Sequence, residues 1–206
     1  MARTGRPRTF DRDAAIKQAM HLFWQNGYEM TPLSRLKAVI GGGISAPSFY
    51  AAFSSKEQLF HEAVNYYLEN YGQVTHPLFD DTLSPLKAIE TTLRRSAEMQ
   101  YEEGHPRGCM VALGVISAST AESQQVLEPL LQARARTREG FCRCIRRGIA
   151  QGEIAESAEP QGLAMMFDAF LLGISTQARD GVSLATIHAA ITSIMTSLPA
   201  LQTRAR

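Results

Sequence analysis

The chain has 206 residues, of which 45% are hydrophobic and 20% are charged, and its formal net charge is +1. This length allows one or two small domains with a sizeable core, and the composition is ordinary for a globular protein. No apolar run approaches the roughly 18–20 residues of a membrane span, and no apolar signal core follows the basic start of the chain. We therefore expect a cytoplasmic protein without a membrane partner.

The charge is distributed unevenly along the chain. Residues 1–56 carry eight Lys and Arg residues against three Asp and Glu, a formal charge of +5, whereas the remaining residues carry 13 against 17 and sum to −4. A basic segment beside a mildly acidic one is typical of a DNA-binding domain attached to a domain that does not bind DNA. The alternative is a solvated basic surface without a ligand.

Residues 2–9 form a basic arm without hydrophobic periodicity, and they include Arg3, Arg6 and Arg8. Arms of this kind reach into the minor groove in some DNA-binding proteins. In others they are soluble tails, and the sequence leaves both alternatives open.

The first predicted helix runs from an N-cap at Asp11 to about Asn26, where Gly27 ends it. Its apolar residues recur at three- and four-residue steps, as expected for one face of an amphipathic helix. The expected buried stripe consists of Ile16, Ala19, Met20, Phe23 and Trp24. For these aromatic residues a core position is far more common than a binding role.

A second, shorter helix is predicted to follow. Thr31 suits its N-cap and Pro32 its first position. Apolar residues then recur at helical spacing at Leu33, Leu36, Val39 and Ile40. Gly41–Gly43 end this helix, and Ser45 is suited to cap a third helix with two phenylalanines on one face. Two short helices joined by a glycine turn are the arrangement of a helix-turn-helix, whose second helix enters the major groove of DNA.

The start of the third helix indicates how it would contact DNA. Ala46 and Ser48 are small and are expected to face the groove, while Pro47 lies in the first turn, where its missing N–H is harmless. Such a face contacts bases through apolar and hydroxyl groups rather than through bidentate pairs between arginine and guanine.

These residues carry a family resemblance. The motifs are Ile44-Ser45, Phe49-Tyr50, Phe53, Ser55-Lys56-Glu57 and Leu59-Phe60, with Phe10-Asp11, Leu22-Phe23, Gly27-Tyr28 and Thr31 upstream. With them, about the first 65 residues resemble the helix-turn-helix signature of the TetR/AcrR family of bacterial transcriptional regulators. The resemblance implies an all-α protein of about nine helices. It places a helix-turn-helix DNA-binding domain with its basic arm at residues 1–56 and an effector-binding and dimerisation domain at residues 57–206.

The resemblance also implies roles for single residues. Tyr50 and Lys56 would contact backbone phosphates of double-stranded DNA; the alternative for Tyr50 is a partly buried position within the domain. The residues expected to contact DNA are Arg3, Arg6, Arg8, Thr31, Ser45, Ala46, Pro47, Ser48, Tyr50 and Lys56. The family usually has one glycine where this chain has Gly41–Gly43, so two residues look inserted. A longer, looser turn would change how the recognition helix meets DNA.

The rest of the chain is also predicted to be helical. The fourth helix begins with a capping box, formed either by Ser54 and Glu57 or by Ser55 and Gln58. It is expected to end near residue 72, and further helices are expected over 86–104, over 123–152 as one helix or two abutting ones, over 160–179 and over 183–198. The six arginines between 134 and 147 are spread around their helix, which favours a solvated surface over a nucleic-acid patch.

By resemblance, the last two helices pair with those of a second subunit in a four-helix bundle. A twofold dimer also follows from the DNA argument, because one short helix contacts too few base pairs and a palindromic operator doubles the contact. The helix over 160–179 is apolar over much of its circumference, which requires cover on more than one side. We therefore expect a homodimeric repressor that a small effector releases from DNA.

The effector is expected to bind among helices four to eight. The candidate lining residues are Tyr67, Met99, Cys109, Leu113, Phe167 and Phe170, and a plain core position is the alternative for each. Cys109 lies at a predicted helix start near Arg107 and His105, an arrangement that lowers a thiol pKa. Cys109 is therefore a candidate sensor of oxidants, electrophiles or a metal, and the alternative is a small buried apolar residue.

Motifs of catalysis and cofactor binding are not found. The sequence lacks a GxSxG elbow, a P-loop, an HExxH pair and a GxGxxG in a strand–helix context, so we expect no enzyme activity, no cofactor and no metal site. Two rival functions are a helical small-molecule carrier or sensor that has lost operator binding, and an all-α enzyme. The basic N-terminal segment argues against the first, and the lack of a clustered acid–base or metal site argues against the second.

Overall fold

The computed structural model describes residues 11–115 and 121–202, and every regular element in these two ranges is a helix. The α-helices are α1 (Arg12–Asn26), α2 (Leu33–Val39), α3 (Ala46–Phe53), α4 (Lys56–Asn70), α5 (Pro85–Tyr101), α6 (Met110–Leu113), α7 (Ala121–Val126), α8 (Glu128–Ala150), α9 (Pro160–Arg179) and α10 (Leu184–Gln202). Two 3₁₀ segments cover Ile40–Gly42 and Gly72–Phe79. The all-α prediction is confirmed, and the arm residues Arg3, Arg6 and Arg8 lie outside the described residues.

The caps of α1 are those that the sequence predicts. The side chain of Asp11 accepts a hydrogen bond from the Ala14 N–H at 3.0 Å. At the other end, Gly27 adopts φ 81° and its N–H donates to the Phe23 carbonyl. The predicted apolar stripe is buried throughout. The first helix was therefore predictable from local signals alone.

The N-cap predicted for α2 is wrong by one residue. Pro32 occupies the N-cap position, and its carbonyl accepts from the N–H groups of Arg35 and Leu36. The hydroxyl of Thr31 instead donates to the Gly27 carbonyl at 2.7 Å, and its side chain is buried. Thr31 therefore fastens the turn between α1 and α2 and does not cap α2.

The next two helices have serine caps. Ser45 Oγ accepts from the Ser48 N–H at 3.2 Å, and Ser55 Oγ accepts from the Gln58 N–H at 2.9 Å. The Ser45 cap is thus confirmed. For α4 the N-cap is Ser55, but the reciprocal bond of a capping box is missing, because the Ser55 N–H donates to the Phe53 carbonyl instead of to Gln58. The helix-turn-helix and the start of α4 are consequently fixed by short-range hydrogen bonds.

One hydrophobic core extends from the first three helices into the rest of the molecule. It contains the buried faces of α1 to α3 and the α4 residues Leu59, Phe60 and Tyr67. In the rest of the chain it includes Met110 and Leu130. The α4 helix is therefore the connection between the N-terminal helices, which we call the head (residues 11–56), and the remainder, which we call the body (residues 57–202).

A second core lies inside the body. Here α5 packs against the 3₁₀ segment, α8, α9 and α10, and α8 packs against α9. The helices predicted after α4 are confirmed, and the long segment over 123–152 is two abutting helices, with Pro129 in the first turn of α8. The 3₁₀ segment Gly72–Phe79 was not predicted, because it begins with Gly72 and contains Pro77, and both residue types disfavour a helix interior.

The solvated surface predicted for the α8 arginines is confirmed for Arg136, Arg143 and Arg146, which are exposed, whereas Arg134, Arg138 and Arg147 are half-buried. Arg134 donates to the carbonyls of Val111 and Ala112, and Arg147 donates to the Leu83 carbonyl at 2.7 Å. Others form ion pairs with aspartates of neighbouring segments: Arg143 with Asp81 at 2.5 Å, Arg147 with Asp81 at 2.9 Å and Arg138 with Asp168 at 3.6 Å. These side chains join α8 to its neighbours, which a helical wheel of one helix does not show.

Candidate DNA-binding surface and effector cavity

The α3 helix presents a small, largely uncharged face to solvent. Phe49 and Phe53 are buried, whereas Pro47 and Ser48 are exposed and Tyr50 is 52% exposed. The Ser48 hydroxyl is within 2.9 Å of the Ser45 hydroxyl. A face of this composition is suited to contacts with base methyl groups and to hydroxyl hydrogen bonds.

The triple-glycine turn before α3 is closed by hydrogen bonds. All three glycines have positive φ: 59° at Gly41, 74° at Gly42 and 105° at Gly43. The Gly41 N–H donates to Gln18 Oε1 at 2.9 Å, and the Ile44 N–H donates to the Lys37 carbonyl at 2.8 Å. Since both sides of the turn are anchored, the longer turn is not a loose one, which corrects the expectation from glycine content.

Lys56 begins α4 at the edge of the same surface. Its ammonium lies 4.1 Å from the centroid of the Tyr28 ring, and partial burial lowers its pKa, with Glu29 acting in the opposite direction. Cation–π contact with Tyr28 limits the positions that the ammonium occupies. Among the predicted DNA contacts that the structure describes, Ser45, Pro47, Ser48 and Tyr50 are exposed, Ala46 and Lys56 are half-buried, and Thr31 is buried.

A cavity of about 440 Å³ lies in the body between α4, α5, α6, α8, α9 and the 3₁₀ segment. Much of its wall is apolar. The apolar lining includes Leu68, Val74, Val111, Pro129, Leu171 and Leu172. Volumes of this size are in the range of small-molecule sites.

Only part of the predicted ligand set lines this cavity. Tyr67 and Cys109 do, and the Tyr67 hydroxyl donates to Cys109 Sγ at 3.2 Å. Met99 lies in the first core, and Phe167 stacks on the buried ring of Phe141 in the second. The other two lie elsewhere as well: Leu113 lines a groove beside Trp24 and Arg179, and Phe170 packs against the second core.

Sequence reasoning missed the polar lining of the cavity. Arg134 comes from α8, Ser96 from α5, and Asp168 and Ser175 from α9. A signal was present, because Asp168 and Ser175 are polar residues seven positions apart in the largely apolar central part of α9, so they share one face. Two polar side chains on the inward face of such a helix indicate a polar interior site.

The expected lowering of the Cys109 pKa is wrong. Burial raises the pKa of this thiol, and the hydrogen bonds and the Arg134 charge that act in the opposite direction do not compensate. Nearby cations are engaged elsewhere: the Arg107 guanidinium lies over the Tyr101 ring, and the His105 ring stacks on Trp24. The α6 helix that follows Cys109 has four residues, so it contributes little dipole.

Hydrogen bonds join the head to the loop that precedes the cavity wall. Trp24 Nε1 donates to the Gly108 carbonyl at 3.1 Å, one residue before Cys109. Arg179 at the end of α9 donates to the Trp24 carbonyl at 2.8 Å and to the Arg107 carbonyl at 3.3 Å. We call this set of contacts the junction. Through it, α1 contacts both walls of the cavity that α6 and α9 provide.

Comparison with known proteins gives the family. Residues 15–63 match the model of bacterial regulatory proteins of the tetR family, and residues 85–194 match that of the tetracyclin repressor-like C-terminal domain. The HTH-type transcriptional repressor ComR of Escherichia coli (strain K12) is 33% identical over 183 residues, which cover 87% of this chain and 85% of ComR. The chain belongs to the TetR family.

Other relatives agree with this assignment. The repressor BdcR of the same organism is 34% identical over 116 residues, covering 55% of this chain and 56% of BdcR. A cysteine mutant of the TetR family regulator CifR, complexed with 26-base-pair double-stranded operator DNA, superposes with a TM-score of 0.83 at 35% identity, covering 95% of this chain and 100% of that one. A TetR transcriptional regulator from Chloroflexus aurantiacus gives 0.76 at 25% identity, covering 91% and 93%.

Family membership makes the protein a DNA-binding transcriptional regulator, a class that is regulatory rather than enzymatic. In residues 11–115 and 121–202, no helix is long and apolar enough to cross a membrane. Within the same ranges, no three His, Cys, Asp or Glu side chains come together as metal ligands would.

Proposed function

We propose that this TetR-family protein is a cytoplasmic repressor that binds a palindromic operator as a dimer and leaves it when a small effector occupies the body cavity. The observation that carries the proposal is the course of α4. This helix starts with Lys56 at the α3 surface, and its residues Asn65, Tyr67 and Leu68 line the cavity. A single rigid helix therefore connects the two sites, about 17 Å apart at 1.5 Å per residue.

The DNA contacts would come from the exposed face of α3, from Tyr50 and from Lys56. Contacts to phosphate position the protein, and contacts to base edges specify the sequence. We assign Pro47 and Ser48 to base contacts and Tyr50 and Lys56 to phosphate contacts, with the arm over residues 2–9 in the adjacent minor groove. The hydrogen-bonded glycine turn favours operator binding over a carrier that has lost it, because it fixes the position of α3.

Dimerisation would use α9 and α10. Met165 on α9 is 58% exposed, and Ala169 and Gly173 follow it at four-residue steps on the same face, next to open space at Gly173. Small residues allow two helices to approach closely, and an exposed methionine adds apolar area to bury. We therefore place the domain that binds the effector and forms the dimer at residues 57–206 and the DNA-binding domain at residues 1–56.

Release would be a population shift. An effector changes the spacing of the two α3 helices only if it binds the non-DNA conformation more tightly than the DNA-bound one. The junction supports this coupling, because Gly108 lies after Arg107 in the loop that leads to α6. The Gly108 carbonyl accepts a hydrogen bond from Trp24 of the head.

The test is fluorescence anisotropy with the DNA upstream of this protein's own gene, against a scrambled duplex, at several salt concentrations. We expect selective binding that weakens steeply with salt. Lys56→Ala should weaken binding to both duplexes and reduce the salt slope by about 0.9 for each phosphate that the variant no longer neutralises. Lys87→Ala, which removes an exposed lysine of α5 from a pair with Glu90, is the matched control.

Two results would contradict this proposal. One is that the protein binds weakly, and with the same affinity, to the scrambled duplex and to every duplex selected from random sequence. The other is an unchanged salt slope for Lys56→Ala together with a changed one for Lys87→Ala. Deleting two of the three glycines at Gly41–Gly43 then separates the effect of the turn from that of the side chains that bind DNA.

Cys109 is proposed as part of the effector site, since its sulfur lines the cavity. Because burial raises its pKa, we expect alkylation of Cys109 by iodoacetamide at pH 7.5 to be slower in the folded protein than in the urea-unfolded chain. Mass spectrometry of time points measures both rates. If oxidants release operator DNA equally from the wild type and from Cys109→Ser, a sensing role for this thiol is excluded.

A further inference from the structure

The polar atoms around the cavity are incompletely paired. Ser175 lines the cavity, is fully buried, and its hydroxyl has no hydrogen-bond partner among the described residues. Gln100 donates from Nε2 to Ser96 Oγ at 3.0 Å, while its buried Oε1 likewise lacks a described partner. Ser96 lines the cavity as well, and it retains a hydroxyl hydrogen to donate. Buried polar groups of this kind are normally satisfied, so the two serines of the lining are suited to bind a polar group of a ligand.

The stripe that α9 presents to the cavity has a polar residue at each end and two leucines between them. Asp168, Leu171, Leu172 and Ser175 all line the cavity and are spaced so that they share one helix face. Asp168 and Ser175 are about 10 Å apart along the helix axis at 1.5 Å per residue. A ligand with its polar group at Ser175 therefore lies with its body along the two leucines.

The charges of the cavity disfavour a charged ligand. Asp168 is 3% exposed and its carboxylate is 3.6 Å from the Arg138 guanidinium. Arg134, on the facing helix, donates to the carbonyls of Val111 and Ala112. Because Asp168 is already paired with Arg138 and Arg134 already donates to two carbonyls, a charged ligand would have to displace one of these partners, whereas a neutral group would not.

We propose that the cavity binds a neutral small molecule with an aliphatic body and a hydroxyl group, and that the hydroxyl hydrogen-bonds with Ser175 and Ser96. This rests on the proposed function, in which the same cavity is the effector site. A hydroxyl both donates and accepts, so it matches a Ser175 side chain that lacks a described partner and a Ser96 side chain that already accepts from Gln100.

The test uses four probes with the same alkyl body: 1-octanol, 1-methoxyheptane, octanoate and octylammonium. Binding is measured by isothermal titration calorimetry and by the fluorescence of Trp24, the single tryptophan, whose ring centroid is 4.8 Å from that of Tyr67 in the cavity wall. We expect 1-octanol to bind about tenfold more tightly than the isomeric ether, which accepts but cannot donate, the factor for one net hydrogen bond. Both charged probes should bind more weakly than the alcohol.

The variants locate the polar group. Ser175→Ala should reduce the affinity for 1-octanol to that for 1-methoxyheptane and leave the affinity for the ether unchanged. Ser157→Ala, in the exposed turn between α8 and α9, is the matched control and should change neither. Since the Ser175 hydroxyl has no described partner, its removal should preserve folding, which circular dichroism checks.

Equal binding of alcohol and ether, preference for either charged probe, or no binding of any probe would each overturn the proposal. So would an alcohol preference that survives in Ser175→Ala. Operator affinity of the ligand-free protein is measured separately. If it is intact while the alcohol preference is absent, the ligand class fails and the repressor function stands; if specific operator binding is absent, the repressor function fails.

Discussion

The candidate sites of the head and of the body are formed in different ways. In the head, the candidate DNA surface comes from one continuous segment between residues 45 and 56, capped and turned by its own short-range hydrogen bonds. In the body, the cavity is assembled from six separate segments between Asn65 and Ser175. A local site is determined by local sequence, whereas a cavity depends on packing between residues that are far apart in the chain.

The two regions also differ in how completely their polar groups are paired. The head closes its glycine turn with partners that lie within the head, and His21 Nε2 is its one buried side-chain polar atom without a partner among the described residues. The body leaves the hydroxyl of Ser175 and the amide oxygen of Gln100 without a described partner. A fixed surface suits a constant DNA geometry, and an incompletely paired interior suits a component that changes with a ligand.

The substitution with the largest expected effect lies at the junction between the head and the body. Gly108 has φ 87°, and an added Cβ would lie 2.6 Å from a Leu113 methyl and 3.2 Å from the Ser175 carbonyl. We expect Gly108→Ala to lower the free energy of unfolding by about 2–3 kcal/mol, through backbone strain and overpacking. Urea denaturation followed by circular dichroism measures this change.

The matched control is in the same loop. Gly104 has φ 92° and open space around an added Cβ. Gly104→Ala should therefore lower the free energy of unfolding only through backbone strain, by about 1 kcal/mol. Equal destabilisation in the two variants would show that close packing of the junction does not contribute to stability.

A smaller effect is expected from Arg179, which donates from the end of α9 to the carbonyls of Trp24 and Arg107. Arg179→Gln should lower the free energy of unfolding by about 1 kcal/mol, because solvent reaches this side chain and replaces part of its hydrogen bonding. It should also reduce the effect of an effector on operator affinity, which anisotropy titrations with and without ligand measure. Arg95→Gln, at an exposed position of α5, serves as the control; if it uncouples the sites as strongly, the junction is not the route.

The same contrast explains which features were predictable. The caps at Asp11, Ser45 and Ser55 and the buried stripe of α1 follow from residues within a few positions of one another. Thr31 was misassigned because its hydroxyl bonds to the Gly27 carbonyl across the turn between two helices, a contact that cap preferences within one helix do not contain. Even in the head, one competing partner was enough to move a cap.

In the body, helices were predictable and side-chain environments were not. Phe167 and Tyr67 have the same apolar character in sequence, yet one stacks in the second core and the other lines the cavity. The Cys109 pKa was expected to fall because cations are near in sequence, but Arg107 lies over Tyr101 and burial dominates. The distinction depends on how α5, α8 and α9 pack, which periodicity within one helix does not contain.

The smallest expected effect is a pH dependence of the free energy of unfolding, which arises in the body at Asp168. Burial raises the pKa of Asp168, with Arg138 and Arg134 acting in the opposite direction. The folded chain therefore holds this proton more tightly than the unfolded chain. The resulting stability is fully present below the unfolded pKa of about 3.9 and is lost as pH rises through the folded value.

Asp168→Asn lacks this pH dependence, so its free energy of unfolding should increase relative to that of the wild type between about pH 4 and pH 7. Urea denaturation across this range measures the difference, with Glu156→Gln in an exposed turn as the control. A difference that stays constant with pH would show that Asp168 carries no burial penalty and would remove it from the polar lining of the effector site.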